Sequence, residues 1–416
     1  MATKLMKRAR LVAVWRGIVS LSPLFLALVP APMHAAKPEA PVGAVGFGGQ
    51  SYGVSTPQWS PESPDLFSQE RSEAVERAEA GAPIARAAKP QAPAVAVGSQ
   101  SFRISTPQGS AVVPYLSSFD GSAPQSQVVR AVLIFHGMGR DVEGYYRTAL
   151  AAADLAGAST RDTVLIAPQF LDDGDVDAHQ LAPGTLLWRR TDWESGAPAV
   201  APISIDSFEV IDALLAGLAD RALFPNLKTL VLAGHGGGGQ LVQRYAVVGR
   251  SPAAISRAGI HLRFVVANPS SYLYFSDERP APGGMPALAR NTASCPHLDQ
   301  WKYGTANPVP YVKLDADHTW PQLEADYAQR DVIYLLGTAD TDPHARGLDV
   351  TCGAEAQGPT RFARGQAYYA YLHARHTAAW NQHLWFVPEV SNSAHKMFTS
   401  ACGLAALFDS GQCQDQ

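Results

Sequence analysis

Four short apolar runs in this chain each end in a turn built from small residues, and each turn carries a polar group. Val128–Phe135 ends in His136-Gly137-Met138-Gly139, and Leu227–Ala233 ends in Gly234-His235-Gly236-Gly237-Gly238-Gly239. Asp331–Leu336 ends in Gly337-Thr338-Ala339-Asp340, and His383–Val387 is followed by His395. Thr163–Ala167 and His261–Ala267 read as further strands. Between the runs lie stretches with helical spacing: Gly144–Leu155, Ser207–Ala222, Gln240–Val248 and Gln366–Trp380. Strands alternating with helices give a mostly parallel sheet with helices on both faces, an α/β fold. In such sheets ligands bind beyond the C-terminal ends of the strands, so the four turns are where chemistry belongs.

Gly234, Gly236 and Gly239 also satisfy G-x-G-x-x-G, the dinucleotide fingerprint. That motif needs an Asp or Glu about 20 residues on to hold the ribose. No acidic residue occurs between Gly234 and Ser276, and the next strand ends in Ala267-Asn268-Pro269. A nucleotide is therefore not expected.

An HG turn, a glycine elbow, an acid and a histidine, in that order, resemble the α/β-hydrolase superfamily, whose elbow reads G-x-S-x-G. The stretch LVLAGHGGGGQLVQRYA looks like secreted esterase-type members, and SAHKMFTSACGLAALF looks like their histidine loop and final helix. The resemblance spans about residues 100–410 and departs from the pattern at the nucleophile, where Gly236 stands for serine. It implies Asp340 as the acid, with Asp342 as the alternative two residues away, and His395 as the base. It also implies the N–H groups of Met138 and Gly237 as the oxyanion hole. His136 would shape its turn and His235 would brace neighbouring loops. The substrate implied is a carboxylic ester, with an amide as the weaker choice, small or polymeric. A glycine cannot form an acyl-enzyme. The chain is thus either a serine hydrolase impaired at its nucleophile, a non-catalytic binding protein using the old pocket, or a hydrolase whose His395 activates water directly.

Trp188, Tyr272 and Trp301 lie in loops expected on the active-site face, where they could wall a pocket or fill core under the loops. The run Asp172-Asp173-Gly174-Asp175-Val176-Asp177 lacks the ligand spacing of a calcium loop and reads as a solvated turn. No cofactor or metal is expected.

Residues 1–35 read as a signal peptide: Lys4, Lys7, Arg8, Arg10 and Arg16 precede an apolar run from Gly17 to Val29 and then small residues. The run is shorter than the roughly 20 residues of a membrane span; Met33 or His34 falls where cleavage prefers a small residue, so the alternative is an uncleaved anchor. Cleavage would leave 28 Lys+Arg against 37 Asp+Glu, a formal charge of 28 − 37 = −9, which argues against nucleic acid or an anionic membrane as partner. A secreted or periplasmic location follows. Four cysteines in such a chain suggest two disulfides with three possible pairings. Cys402 and Cys413 can close a short loop, which would leave Cys295 with Cys352. Residues 36–99 read as an Ala/Pro/Gly-rich linker with a short helix candidate, Leu66–Ala80, and residues 100–416 as the catalytic-type domain. The linker holds a near-repeat: Gln50–Gln58 matches Gln100–Gln108, whose second copy should enter the domain as an early strand.

Overall fold

The computed structural model describes residues 46–47 and 92–416, apart from 120, 122, 282–287, 291–294 and 317. The leader, the Leu66–Ala80 helix and the first repeat copy lie outside these residues. Strands β1 (Gly46–Phe47), β2 (Gln100–Thr106), β3 (Gly109–Ser117), β4 (Arg130–Phe135), β5 (Thr163–Pro168), β6 (Thr229–His235), β7 (His261–Ala267), β8 (Asp331–Gly337) and β9 (Gln382–Val387) form one sheet. Their order is β1-β2-β3-β5-β4-β6-β7-β8-β9. β1, β2, β3 and β5 pair antiparallel in sequence, and every pair from β5 across to β9 is parallel. The second repeat copy is β2, as its sequence suggests. This strand order, with helices on both faces, is the α/β-hydrolase fold.

The central strands read as unbroken apolar runs because both of their faces are covered. Along β6, Leu230 and Leu232 join one core cluster while Val231 and Ala233 join the other. Helices α1 (Val142–Leu155), α6 (Ala394–Phe398) and α7 (Ala401–Phe408) cover the Val231 face. Helices α2 (Ser207–Leu218), α3 (Gly237–Val248), α4 (Trp320–Ala328) and α5 (Arg361–Arg375) cover the other.

Helix boundaries differ from expectation for local reasons. α3 begins at Gly237 instead of Gln240, since burial of all twelve of its residues outweighs the poor helix propensity of three glycines. α5 begins at Arg361 instead of Gln366, because Thr360 accepts a hydrogen bond from the Ala363 N–H (3.2 Å) and caps the helix. α4 was not foreseen. Disulfides join Cys295 to Cys352 and Cys402 to Cys413, the pairing favoured by spacing.

The docked part of the chain begins before residue 100. Ala92 O accepts from Arg140 Nη2 (2.8 Å), the Ala94 N–H donates to Asp175 Oδ1 (2.7 Å), and Ala96 O accepts from Gln169 Nε2 (2.8 Å). Each bond meets a buried polar group, and bonds to charged groups contribute roughly 1.5–3 kcal/mol apiece. A chain beginning at Gln100 loses all three bonds and should therefore melt several degrees lower than one beginning at Ala92. Equal melting of the two would show that residues 92–99 contribute nothing.

Candidate active site

The junction of β6 and α3 is a one-residue reversal at Gly236, with φ 60° and ψ −114°. Its N–H donates to Ala267 O (3.0 Å) on the neighbouring strand, and its carbonyl accepts from the Gln240 N–H (3.0 Å) to start the helix. This backbone region is costly for a residue with a Cβ and open to glycine. Among the described residues, His235 and Gly237 apart, no heavy atom lies within 4 Å of the point where a Cβ on Gly236 would stand. The elbow thus keeps its shape and an open space in front of it.

Gly237 opens α3, so its N–H has no carbonyl one turn back within the helix. Met138 N lies 3.3 Å from the Cβ position of Gly237, which brings the two expected oxyanion donors together. The turn bearing Met138 is held from beneath. His136 is buried; its Nδ1–H donates to Gly137 O (2.8 Å) and its Nε2 accepts from the Phe170 N–H (2.9 Å). That arrangement requires the neutral ring, and burial lowers its pKa to about 4. Arg140, fully buried at positive φ, contacts Met138 O (3.4 Å), Asp175 through two nitrogens (2.7 and 3.1 Å) and Asp172 (3.0 Å). The acidic run at 172–177 is therefore no solvated turn at these two positions. Asp172 and Asp175 are buried partners of an arginine that anchors the Met138 turn.

Asp340 follows β8 and is 3% exposed, whereas Asp342 is exposed and accepts the His344 N–H. The Asp340 carboxylate accepts from Asn268 Nδ2 (3.0 Å) and contacts Arg361 Nη1 (3.4 Å). Burial raises its pKa, and Arg361 opposes that shift. His395 lies exposed on α6, and no hydrogen bond joins it to Asp340. Asn268 connects their neighbourhoods: its Nδ2 also donates to Ser391 O (3.1 Å), and its Oδ1 accepts the Gly337 N–H (2.9 Å). His235 meets the Tyr145 hydroxyl from α1 (3.3 Å), as a brace should, and burial lowers its pKa to about 3.

The aromatic residues divide. Trp188 is buried, donates to Ala197 O (3.0 Å) and packs edge-on against Phe170. Tyr272 is buried and stacks on Tyr368 (4.5 Å). Both fill core under the loops instead of walling an open pocket. Trp301 is half-buried and donates to Ser195 O (2.8 Å), which ties it to the loop next to the elbow.

That loop carries a residue that the sequence did not single out. Glu194 is 2% exposed and its Oε2 accepts from Gln240 Nε2 (2.8 Å), while no group among the described residues donates to Oε1. A Cβ on Gly237 would overlap Oε1, so the glycine at 237 is what admits this carboxyl group. Burial raises the Glu194 pKa to about 7.

No family model matches the chain, and no curated protein does. Among solved structures it is similar to poly(aspartic acid) hydrolase-1 from Sphingomonas sp. KT-1, with 22% identity and a TM-score of 0.47 over 74% of this chain and 96% of that one. It is also similar to a poly(3-hydroxybutyrate) depolymerase from Bordetella parapertussis, with 20% identity and a TM-score of 0.49 over 73% and 88%. A thermophilic carboxylesterase cloned from a metagenomic library gives 15%, a TM-score of 0.34, and 83% and 94%. At such values the fold rests on the chain's own strand order and the site on its own geometry.

Two outcomes follow from the buried polar groups. Asn268→Ala leaves the Gly337 N–H, Ser391 O and the Asp340 carboxylate short of a partner. It should cost roughly 2–4 kcal/mol by denaturant midpoint, and a change under about 0.5 kcal/mol would refute the bridging role. Glu194 has a raised pKa in the folded chain, so the folded state holds a proton that the unfolded state loses at the ordinary glutamate value of 4.5. Stability should fall as pH rises from about 4.5 to about 7 and level off above, by at most about 3 kcal/mol for this group. Glu194→Gln should remove that part of the slope, which melts at pH 5 and pH 8 would read; an unchanged slope contradicts it.

Proposed function

We propose that this chain is an exported protein with a carboxylic-ester site of the serine-hydrolase type in which the nucleophile is absent. It holds an ester carbonyl at the N–H groups of Met138 and Gly237 and turns it over slowly or not at all. The carrying observation is the conformation of Gly236: the elbow is wound as for a serine, and the space for the side chain is open.

Retention without rapid turnover is favoured over direct attack by water. For His395 to act as a base, a carboxylate should orient its ring. The Asp340 carboxylate is engaged by Asn268 and Arg361, and His395 is exposed without it. An amide is a weaker candidate for the same reason, since its leaving amine needs a proton from that histidine. Export is supported by the N-terminal basic and apolar segments and by two disulfides. Among the described residues no helix is long and apolar enough to cross a membrane.

Gly236→Ser tests the proposal. The variant should lose about 1–3 kcal/mol of stability, because a Cβ enters a sparsely allowed backbone region. With His395 lacking an orienting carboxylate, it should gain only a small initial rate on a short-chain nitrophenyl ester and take up a serine-directed covalent inhibitor slowly at position 236. A folded variant with neither gain would confine the hydrolase likeness to the fold.

A further inference from the structure

Residues 92–98 form no strand, yet five of their backbone groups are bonded to side chains of the domain. Besides the bonds to Arg140, Asp175 and Gln169 given above, Ala94 O accepts from His179 Nε2 (2.7 Å) and the Gly98 N–H donates to Gln169 Oε1 (2.9 Å). Ala94 is buried, and a Cβ on Gly98 would overlap the backbone of Tyr115 on β3, so small residues seat the segment at these two points. The side chains that hold the segment also hold the turn after β4. Gln169 Nε2 donates to Arg140 O (2.8 Å) as well as to Ala96 O, and Arg140 contacts Met138 O through Nη1 and Ala92 O through Nη2. The segment is thus two hydrogen bonds away from the carbonyls of both Met138 and Arg140. Arg140 stands at φ 54°, which a residue with a Cβ keeps only where its surroundings over-determine it. The segment supplies part of that determination. The turn in turn abuts the elbow: a Cβ on Gly238 would overlap Phe135 O, and Met138 N lies 3.3 Å from the Cβ position of Gly237.

Resting on the reading that an ester is held in front of Gly236, we propose that residues 92–98 are a positioning element of that site. Seated, they complete the bonding of Gln169, Arg140 and Asp175 and fix the His136–Arg140 turn against the elbow. Unseated, they leave buried donors and acceptors of these three side chains without partners, and the groups rearrange toward water. The turn then shifts and affinity for the ester falls. The site therefore extends upstream of the sheet into the lead-in of the second repeat copy, and a change at 92–98 acts on ligand binding and not on stability alone.

Two adjacent substitutions in the full chain test this. Ala94→Arg puts a long side chain at a buried position and unseats the segment, whereas Val95→Arg adds the same charge at a position 81% exposed and leaves it seated. Methyl-labelled methionine supplies the readout. The Met138 signal is assigned by its loss in Met138→Leu, and Met397, buried on α6, reports on the rest of the fold. Ala94→Arg should move or broaden the Met138 signal, leave the Met397 signal in place and weaken ethyl butyrate binding roughly tenfold. Val95→Arg should change none of the three. His179→Ala removes a single bond to the segment and should act in the same direction by a smaller amount, which decides the matter if Ala94→Arg does not fold. The proposal is overturned if the Met138 signal stays in place in these variants, if the Met138 and Met397 signals move together, if Val95→Arg acts as strongly as Ala94→Arg, or if affinity holds while the Met138 signal moves. Failure of the unaltered chain to bind ethyl butyrate would remove the ester reading, and the two methyl signals would still decide whether the segment holds the turn.

Discussion

The reversal at Gly236 is the constraint on which the site depends. β6 has six of its seven residues buried, and α3 has all twelve. These two deeply packed elements are joined at a single residue, with φ 60° and ψ −114°. The turn therefore belongs to the core as much as to the chemistry. In an enzyme the strain of a serine in this region is tolerated for what its hydroxyl does. In this chain glycine removes the strain and leaves the joint unchanged. That separates the shape of the elbow from its reactivity, and it explains how the first can persist without the second.

Around this joint the strand ends are held by buried polar groups acting in three sets. Arg140, Asp172 and Asp175 fix the Met138 turn and draw in the segment from Ala92. Asn268 ties β7 to the turn after β8 and to the loop before α6, with Asp340 and Arg361 beside it. A chain of hydrogen bonds from Arg244 through Ser271 and Gln240 ends at Glu194. Such groups add little net stability, because desolvation offsets most of what they gain, but removing one partner is expensive. Their effect is to allow few arrangements of the rim. Asn268 and Arg361 engage the Asp340 carboxylate, and His395 is exposed to solvent.

The sheet, the order of its turns and the elbow were legible because they are local patterns: apolar runs buried on both faces, followed by small residues. The disulfide pairing was legible from spacing. What escaped depends on distant partners. The acidic run at 172–177 reads as solvated until Arg140, 35 residues earlier, is seen beneath it. Glu194 sits in a loop with no motif, and only the missing Cβ of Gly237, far along the chain, hints at it. Asn268 was visible as the end of β7, where an acid was sought and absent, but nothing local marks it as a bridge. Trp188 and Tyr272 could wall a pocket or fill core; the loop paths that bury them are set by tertiary packing.

A crystal structure of the unaltered chain with a short ester such as ethyl butyrate tests the central claim most directly. The ester should be present and intact, with its carbonyl oxygen within hydrogen-bond reach of the N–H groups of both Gly237 and Met138 and its carbonyl carbon facing the open space at Gly236. An ester bound elsewhere, or one whose carbonyl turns away from these two groups, would contradict the account.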